Sequence, residues 1–243
     1  MKTAGILAGL GPLAGAYFYR RLIELTPGSD DQDHIPVVLV SDPLIPSRLL
    51  HLEGAGTSPV PKLLEAIQKL VAAGADFIAI PSSTTNIFYP DLASAIAVPV
   101  ISLIKEVTAG IAKTHCKTIG VLGTTPTQTY GIYDRSFAQA GLRAVYPDAA
   151  SQSEIMAIIT RVKGGTAGTS LKRPFPESSL SERLYEVACR PWSQGIDGLL
   201  LACTEIPVIF PTETWFSSRG AEPSLFSSTD MLAESVIMAA KAP

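Results

Sequence analysis

Apolar runs four to seven residues long alternate with longer stretches in which apolar positions recur at helical spacing. Ile6-Leu7-Ala8 reads as a strand, and "PLAGAYFYRRLIELT", from Pro12, as a helix with proline in its first turn. "IPVVLVS" (35–41) is β-branched and predicts a buried strand. "PVPKLLEAIQKLVAAG" (59–74) has a helical apolar face and stops on Gly74. "DFIAI" ending at Ile80 and "VPVIS" (98–102) predict a third and a fourth strand. Strands alternating with helices in this way imply a parallel sheet with helices on both faces, the α/β class.

The pattern then starts again. "KTAGIL" at 2–7 returns as "KTIGVL" at 117–122, and "GADFIAIPSST" at 74–84 returns as "GIDGLLLACTE" at 195–205. The offsets are 115 and 121 residues, in the same order, which predicts two similar α/β halves. The expected division is 1–110 with a C-terminal helix at about 228–243, and 111–227. Under the repeat, Ser82 corresponds to Cys203, each just past the carboxyl end of a strand, the edge where parallel sheets bind ligands. Two such halves face to face would enclose one cleft. The Gly/Ser/Thr/Pro-rich segment 163–180 reads as a loop, either a lid or a plain surface excursion.

Composition narrows the function classes. With 243 residues, 47% of them apolar, the chain can bury a full core. A net charge of −3 offers no basic face for nucleic acid. Cys116, Cys189 and Cys203 have no zinc-type spacing, so reduced thiols in a cytosol are expected. The apolar run at the N-terminus is too short and too glycine-rich for a membrane span or a signal peptide. His34, His51 and His115 form no ligand-spaced set, and no metal site is expected.

The candidate chemistry gathers at strand ends. "IAIPSSTTN" (78–86) is a buried strand that breaks at Pro81 into Ser82, Ser83, Thr84, Thr85 and Asn86, a site of hydroxyls and N–H groups. In "LACTEIP" (201–207), Cys203 follows an apolar strand and precedes Thr204-Glu205. A cysteine there is either a thiolate with a lowered pKa or a small buried apolar residue. For Cys116 and Cys189 the buried apolar role is the expectation. "GLGPLAG" (9–15) fits G-x-G-x-x-A, with Asp42 as the acidic partner of a dinucleotide. The alternative use of Leu10 and Gly11 is general anion binding by backbone amides at a helix start. Arg48, after the second strand, is a carboxylate clamp or a solvated arginine. Thr124, Thr125 and Thr127 follow the strand that mirrors the first. Lys163 in "RVKGG" has no context of its own.

Together these motifs resemble the cofactor-independent aspartate/glutamate racemase superfamily, most closely its aspartate racemases. The resemblance runs through "GILAGLGPLAG", "DQDHIPVVLVSDPLIPSR", "GADFIAIPSSTTN", "GVLGTTPT" and "CTEIP", nearly the whole chain. Glutamate racemases usually carry an aspartate in the first loop and Cys-Thr-His in the last motif; this chain has Gly-Leu-Gly-Pro and Cys203-Thr204-Glu205. The resemblance implies two α/β domains with pseudo-two-fold symmetry, a site between them, a homodimer, and chemistry without pyridoxal phosphate or metal. It implies two thiols, one on each face of the substrate α-carbon, and Cys203 matches the second. Arg48 and Lys163 match positions that hold a side-chain carboxylate, so a dicarboxylic amino acid is the implied substrate. Thr84, Thr124 and Thr204 match positions near the α-carboxylate and ammonium, with Leu10, Gly11, Ser83 and Glu205 counted among the binding positions.

The chain departs from the family at the first thiol. The common Pro-Cys-Asn-Thr-x-His is here Pro81-Ser82-Ser83-Thr84-Thr85-Asn86, and a common Asp-x-Thr is Ser227-Ser228-Thr229. A neutral serine is a poor base but can give up a proton, directly or through a water. The expectation is aspartate racemisation with Cys203 as base and Ser82 as opposite-face acid. The alternatives are a single-cysteine decarboxylase or maleate-type isomerase of the same superfamily, and a dicarboxylate-binding protein without turnover.

Overall fold

The computed structural model describes residues 1–164, 178–209 and 223–242. Most of the loop expected at 163–180 therefore lies outside the described residues. The chain divides into two compact units, Met1–Val107 with Thr229–Pro243, and Thr108–Ser228. Among the described residues no helix is long and apolar enough to cross a membrane.

In the first unit, β1 (Ala4–Ala8), β2 (Val37–Ser41), β3 (Phe77–Ala79) and β4 (Val100–Ile101) form a parallel sheet in the order β2-β1-β3-β4. Its helices are α1 (Pro12–Leu25), α2 (Arg48–Leu52), α3 (Val60–Ala72), α4 (Tyr89–Ser94) and α5 (Leu103–Ala112), the last running on into the second unit. Helix α1 starts on Pro12 and buries Ala14, Tyr17, Phe18, Arg21 and Leu22, a stripe at three- and four-residue spacing. It lies so close to β1 that a Cβ on Gly15 would sit 2.5 Å from Ala8 Cβ. Helix α3 seals the sheet with Leu63, Ala66, Ile67 and Leu70. The expectation of a buried second strand is corrected. β2 is an edge strand, half-buried, with Leu39 exposed, because only β1 flanks it.

In the second unit, β5 (Thr118–Leu122), β6 (Arg143–Val145), β7 (Gly198–Leu201) and β8 (Ser224–Ser227) form a parallel sheet in the order β6-β5-β7-β8. Its helices are α6 (Thr125–Thr129), α7 (Asp134–Gln139), α8 (Ala149–Lys163), α9 (Ser178–Ala188) and α10 (Ile206–Ile209). Helix α11 (Ser228–Lys241) belongs to the first unit from Thr229 onward. There Arg21 Nε donates to Asp230 Oδ1 at 2.8 Å, and Lys2 N to Ala240 O at 2.8 Å.

The repeat extends to the register. Ala4 pairs with Phe77 and Ile119 with Gly198, residues that match across the halves at the sequence offsets of 115 and 121. Packing repeats too. A Cβ on Gly5 would meet Ala75 Cβ and Ile78 Cδ1, both at 2.7 Å. A Cβ on the corresponding Gly120 would meet Ile196 Cδ1 at 2.8 Å and Leu199 Cδ1 at 3.0 Å, the corresponding neighbours.

Candidate active site

Both sheets end in loops rich in small polar residues at their carboxyl edges. In the first unit β1 runs into Gly9, whose φ of +87° belongs to glycine. A Cβ there would lie 2.4 Å from Asp42 N, so the loop after β1 rests directly on the backbone that follows β2. Arg48 opens α2 and its Nη2 donates to Leu10 O at 2.6 Å, tying the first loop to the second. Gly11 is the N-cap of α1 and supplies no side-chain cap. Asp42 accepts from Leu44 N at 3.0 Å, a turn-forming role that engages the carboxylate a dinucleotide ribose would need. Helix α2 packs on the 3₁₀ turn Thr84–Phe88, where the His51 and Phe88 ring centroids lie 5.8 Å apart. Arg48, Leu10, Gly11 and the Ser82 loop therefore share one edge of the first unit.

The Ser82 loop is closed and internally bonded. Pro81 ends the strand, and Ser82 N donates back to Ile80 O at 2.7 Å, a three-residue turn. Ser82 O accepts from Asn86 Nδ2 at 3.0 Å, and Ser82 Oγ accepts from Thr85 Oγ1 at 2.8 Å. Ser82, Ser83, Thr84 and Thr85 are all buried.

In the second unit β5 runs through Gly123 to Thr124, the N-cap of α6. A Cβ on Gly123 would lie 2.9 Å from Thr127 Cβ, and the buried Thr124 and Thr127 hydroxyl oxygens are 3.1 Å apart. Gln152 on α8 donates to Gly123 O at 3.1 Å. Past β7, Cys203 N donates to Leu122 O at 3.3 Å, so the Cys203 loop hangs from the end of β5. Cys203 Sγ donates to Glu205 Oε2 at 3.0 Å. Lys163, at the end of α8, stands 3.8 Å from Glu205 Oε1. Cys203, Thr204 and Glu205 are buried, whereas the Lys163 side chain keeps 27% of its exposure. Glu205 Oε1 has no hydrogen-bond partner. A buried carboxylate oxygen in that state lacks a donor that a ligand could provide.

Of the two readings of Cys203, a thiolate with a lowered pKa and a small buried residue, its surroundings oppose the lowered pKa. Burial pushes the Cys203 thiol well above its ordinary value, the Glu205 charge raises it further, and Lys163 only partly opposes them. Cys203 is thus a thiol whose proton is already directed at a carboxylate. Of the other cysteines, Cys116 is buried and its Sγ donates to Asp197 O at 3.2 Å. Cys189 is exposed, contrary to expectation, since it follows the last residue of α9 and leaves the packed face. Among the described residues no three His, Cys, Asp or Glu side chains gather as metal ligands.

Two contributors escaped the sequence reading. Thr85 is one hydroxyl of the strand-end loop in the sequence, and its link to Ser82 comes from the tight turn. Gln152 went unnoticed, although a polar residue on the same helical stripe as Ile155, Ile159 and Val162 is itself a signal.

Comparison with known proteins places the chain in one family. The Asp/Glu/hydantoin racemase family model matches residues 7–234. The broad specificity amino-acid racemase RacX of Bacillus subtilis (strain 168) is 25% identical over 211 residues, 84% of this chain and 86% of that protein. The structure of Picrophilus torridus aspartate racemase superposes with a TM-score of 0.84 at 28% identity, covering 99% of this chain and 94% of that one. A glutamate racemase from Campylobacter jejuni shares the fold, with a TM-score of 0.65 at 17% identity over 98% of this chain and 85% of that one. The chain belongs to the aspartate/glutamate/hydantoin racemase family.

Proposed function

We propose that this protein is a cofactor-independent amino-acid racemase acting on aspartate. The observation that carries the reading is the Lys163–Glu205–Cys203 cluster: a buried thiol bonded to a buried carboxylate, with a reachable ammonium beside it. Family membership supplies the reaction class, and the aspartate racemase of Picrophilus torridus supports the substrate. In this reading Glu205 takes the thiol proton, and the thiolate then removes the α-proton of L-aspartate. Ser82, directly or through a water, returns a proton to the opposite face. Arg48 and Lys163 hold the side-chain carboxylate. Thr84, Thr124, Thr204 and Ser83, with the Leu10-Gly11 loop, hold the α-carboxylate and ammonium. The homodimer implied by the resemblance and the cytoplasmic location expected from the three unspaced cysteines belong to the same reading.

Incubation of the protein with L-aspartate in D₂O tests it. α-Deuterium is followed by NMR and D-aspartate by chiral chromatography. Both should appear, and Cys203→Ala should lose both by about 10²–10⁴-fold. Deuterium without D-aspartate would mean that Cys203 works and the opposite face does not. The single-thiol site also admits the decarboxylase or isomerase reading, and loss of aspartate into a decarboxylated or deaminated product in the same tube would favour it. Ligand-induced stabilisation with neither signal would favour a dicarboxylate-binding protein.

A further inference from the structure

We propose that Thr85 is the positioning residue that makes Ser82 a proton donor. The inference rests on the racemase reading above and adds a residue to it. Thr85 Oγ1 donates to Ser82 Oγ at 2.8 Å, and both side chains are buried, at 1% and 6% exposure. A hydroxyl has one proton and two lone pairs. Thr85 occupies a lone pair, which leaves the Ser82 proton to point away from Thr85. The Ser82 backbone is held on both sides, by Ile80 O at 2.7 Å and Asn86 Nδ2 at 3.0 Å, so the hydroxyl departs from a fixed origin.

The chemistry follows from the direction of that bond. When the Ser82 O–H bond breaks and a C–H bond forms at the substrate carbanion, the electron pair stays on Ser82 Oγ. Thr85 already aims a donor at the atom where this charge develops, in a buried setting that strengthens the bond. The alkoxide then takes a proton from water, which restores the serine. At Cys203 the wiring is reversed, since the sulfur donates to Glu205 at 3.0 Å. One reacting atom is bonded so as to release its proton to substrate, and the other so as to lose its proton to a carboxylate and become a base. The family motif leaves the Thr85 position unspecified, so this chain supplies the donor itself.

The test separates crossing between faces from exchange on one face. With L-aspartate in D₂O, exchange with retention needs only Cys203, while D-aspartate formation needs Ser82 as well. Thr85→Val removes the donor at nearly constant shape. It should slow D-aspartate formation roughly 10- to 100-fold, the value of one charge-assisted hydrogen bond, and leave α-deuteration of L-aspartate within about three-fold. Thr85→Ser should restore crossing. The kcat/KM values for L-to-D and D-to-L must fall together, because the free enantiomers have equal energy. Undiminished crossing in Thr85→Val overturns the proposal, and so does an equal loss of exchange and crossing, which marks a structural role only. A second readout needs no turnover. In a Ser82→Cys background, alkylation of the introduced thiol, mapped by mass spectrometry against pH, should move to higher pH when Thr85→Val is added. No movement overturns the Thr85 bond as a donor to this position. Wild-type protein that neither exchanges nor racemises aspartate sinks the racemase reading instead, and the thiol titration still decides the role of Thr85.

Discussion

Cys203 combines a buried sulfur with a carboxylate 3.0 Å away, and both features hold its proton on. Replacing the carboxylate by an amide should therefore release it. Glu205→Gln removes the charge that raises the thiol pKa, and the pH profile of Cys203 alkylation should move to lower pH. An unchanged profile would mean that burial alone sets it. The same shift has a consequence for stability. The folded-state pKa lies above the unfolded value of about 8.5, so the stabilising contribution is complete below that pH and is lost as pH rises toward the folded pKa. The thermal midpoint should fall more steeply between about pH 8 and pH 10 in wild type than in Cys203→Ser. Equal slopes would rule Cys203 out as the cause. Arg48 offers a test of substrate choice. A planar fork can hold Leu10 O and a substrate carboxylate at once, which a lysine ammonium cannot copy. Arg48→Lys should weaken aspartate by roughly 1.5–3 kcal/mol and alanine much less, as read from competition binding. Equal losses would place Arg48 away from the side-chain carboxylate.

The elements bring these residues to the strand ends by close approach of backbone to backbone. β1 can lead straight into the first loop because Gly9 accepts a positive φ and leaves room for Asp42 N. Gly9→Ala should destabilise the protein by roughly 1–3 kcal/mol from conformational strain, with the clash against Asp42 added, and it should move the Leu10 carbonyl that Arg48 holds. Urea unfolding gives the first effect, and a rise in KM at constant kcat gives the second. Gly54→Ala is the control, since it shares a positive φ but meets nothing within 4 Å. A larger loss there than at Gly9 would refute the clash. Helix α8 plays the corresponding part in the second unit, with Gln152 near its start on Gly123 O and Lys163 at its end beside Glu205.

At the scale of the molecule, the first unit is closed by the last helix. From α11, Asp230 reaches Arg21, Ser235 donates to Glu106 Oε2 at 2.9 Å, and Leu232, Ala233, Val236, Ile237 and Ala240 are buried. Burial of each large aliphatic side chain is worth roughly 1.5–3 kcal/mol, and the net stability of a domain is only about 5–15 kcal/mol. Deleting residues 229–243 should therefore unfold the first unit. Hydrogen exchange should show lost protection in β1 and β3 and retained protection in β5 and β7. Protection retained in β1 would show that the first unit folds without its final helix.

The strand-helix alternation, the repeat and the strand-end placement of Ser82 and Cys203 were legible in the chain, because a parallel sheet needs continuous apolar strands and a duplicated sheet keeps their spacing. Even the equivalence of Ala4–Phe77 with Ile119–Gly198 follows from two offsets in the letters. Which strand lies at an edge was not written there. The β-branched run 35–41 looks like a central strand and is a half-exposed one, since strand order depends on long-range pairing. The protonation of Cys203 was equally hidden. A thiol two residues before a glutamate reads as activated or inert with equal ease. Burial and the Glu205 carboxylate keep the resting thiol protonated with its proton aimed at Glu205, and both depend on how the Cys203 loop hangs from Leu122 and where α8 ends. Thr85 became the partner of Ser82 for the same kind of reason. Hydroxyls three residues apart meet only when a turn of this shape folds them together, and contact across a turn is a property of the folded backbone.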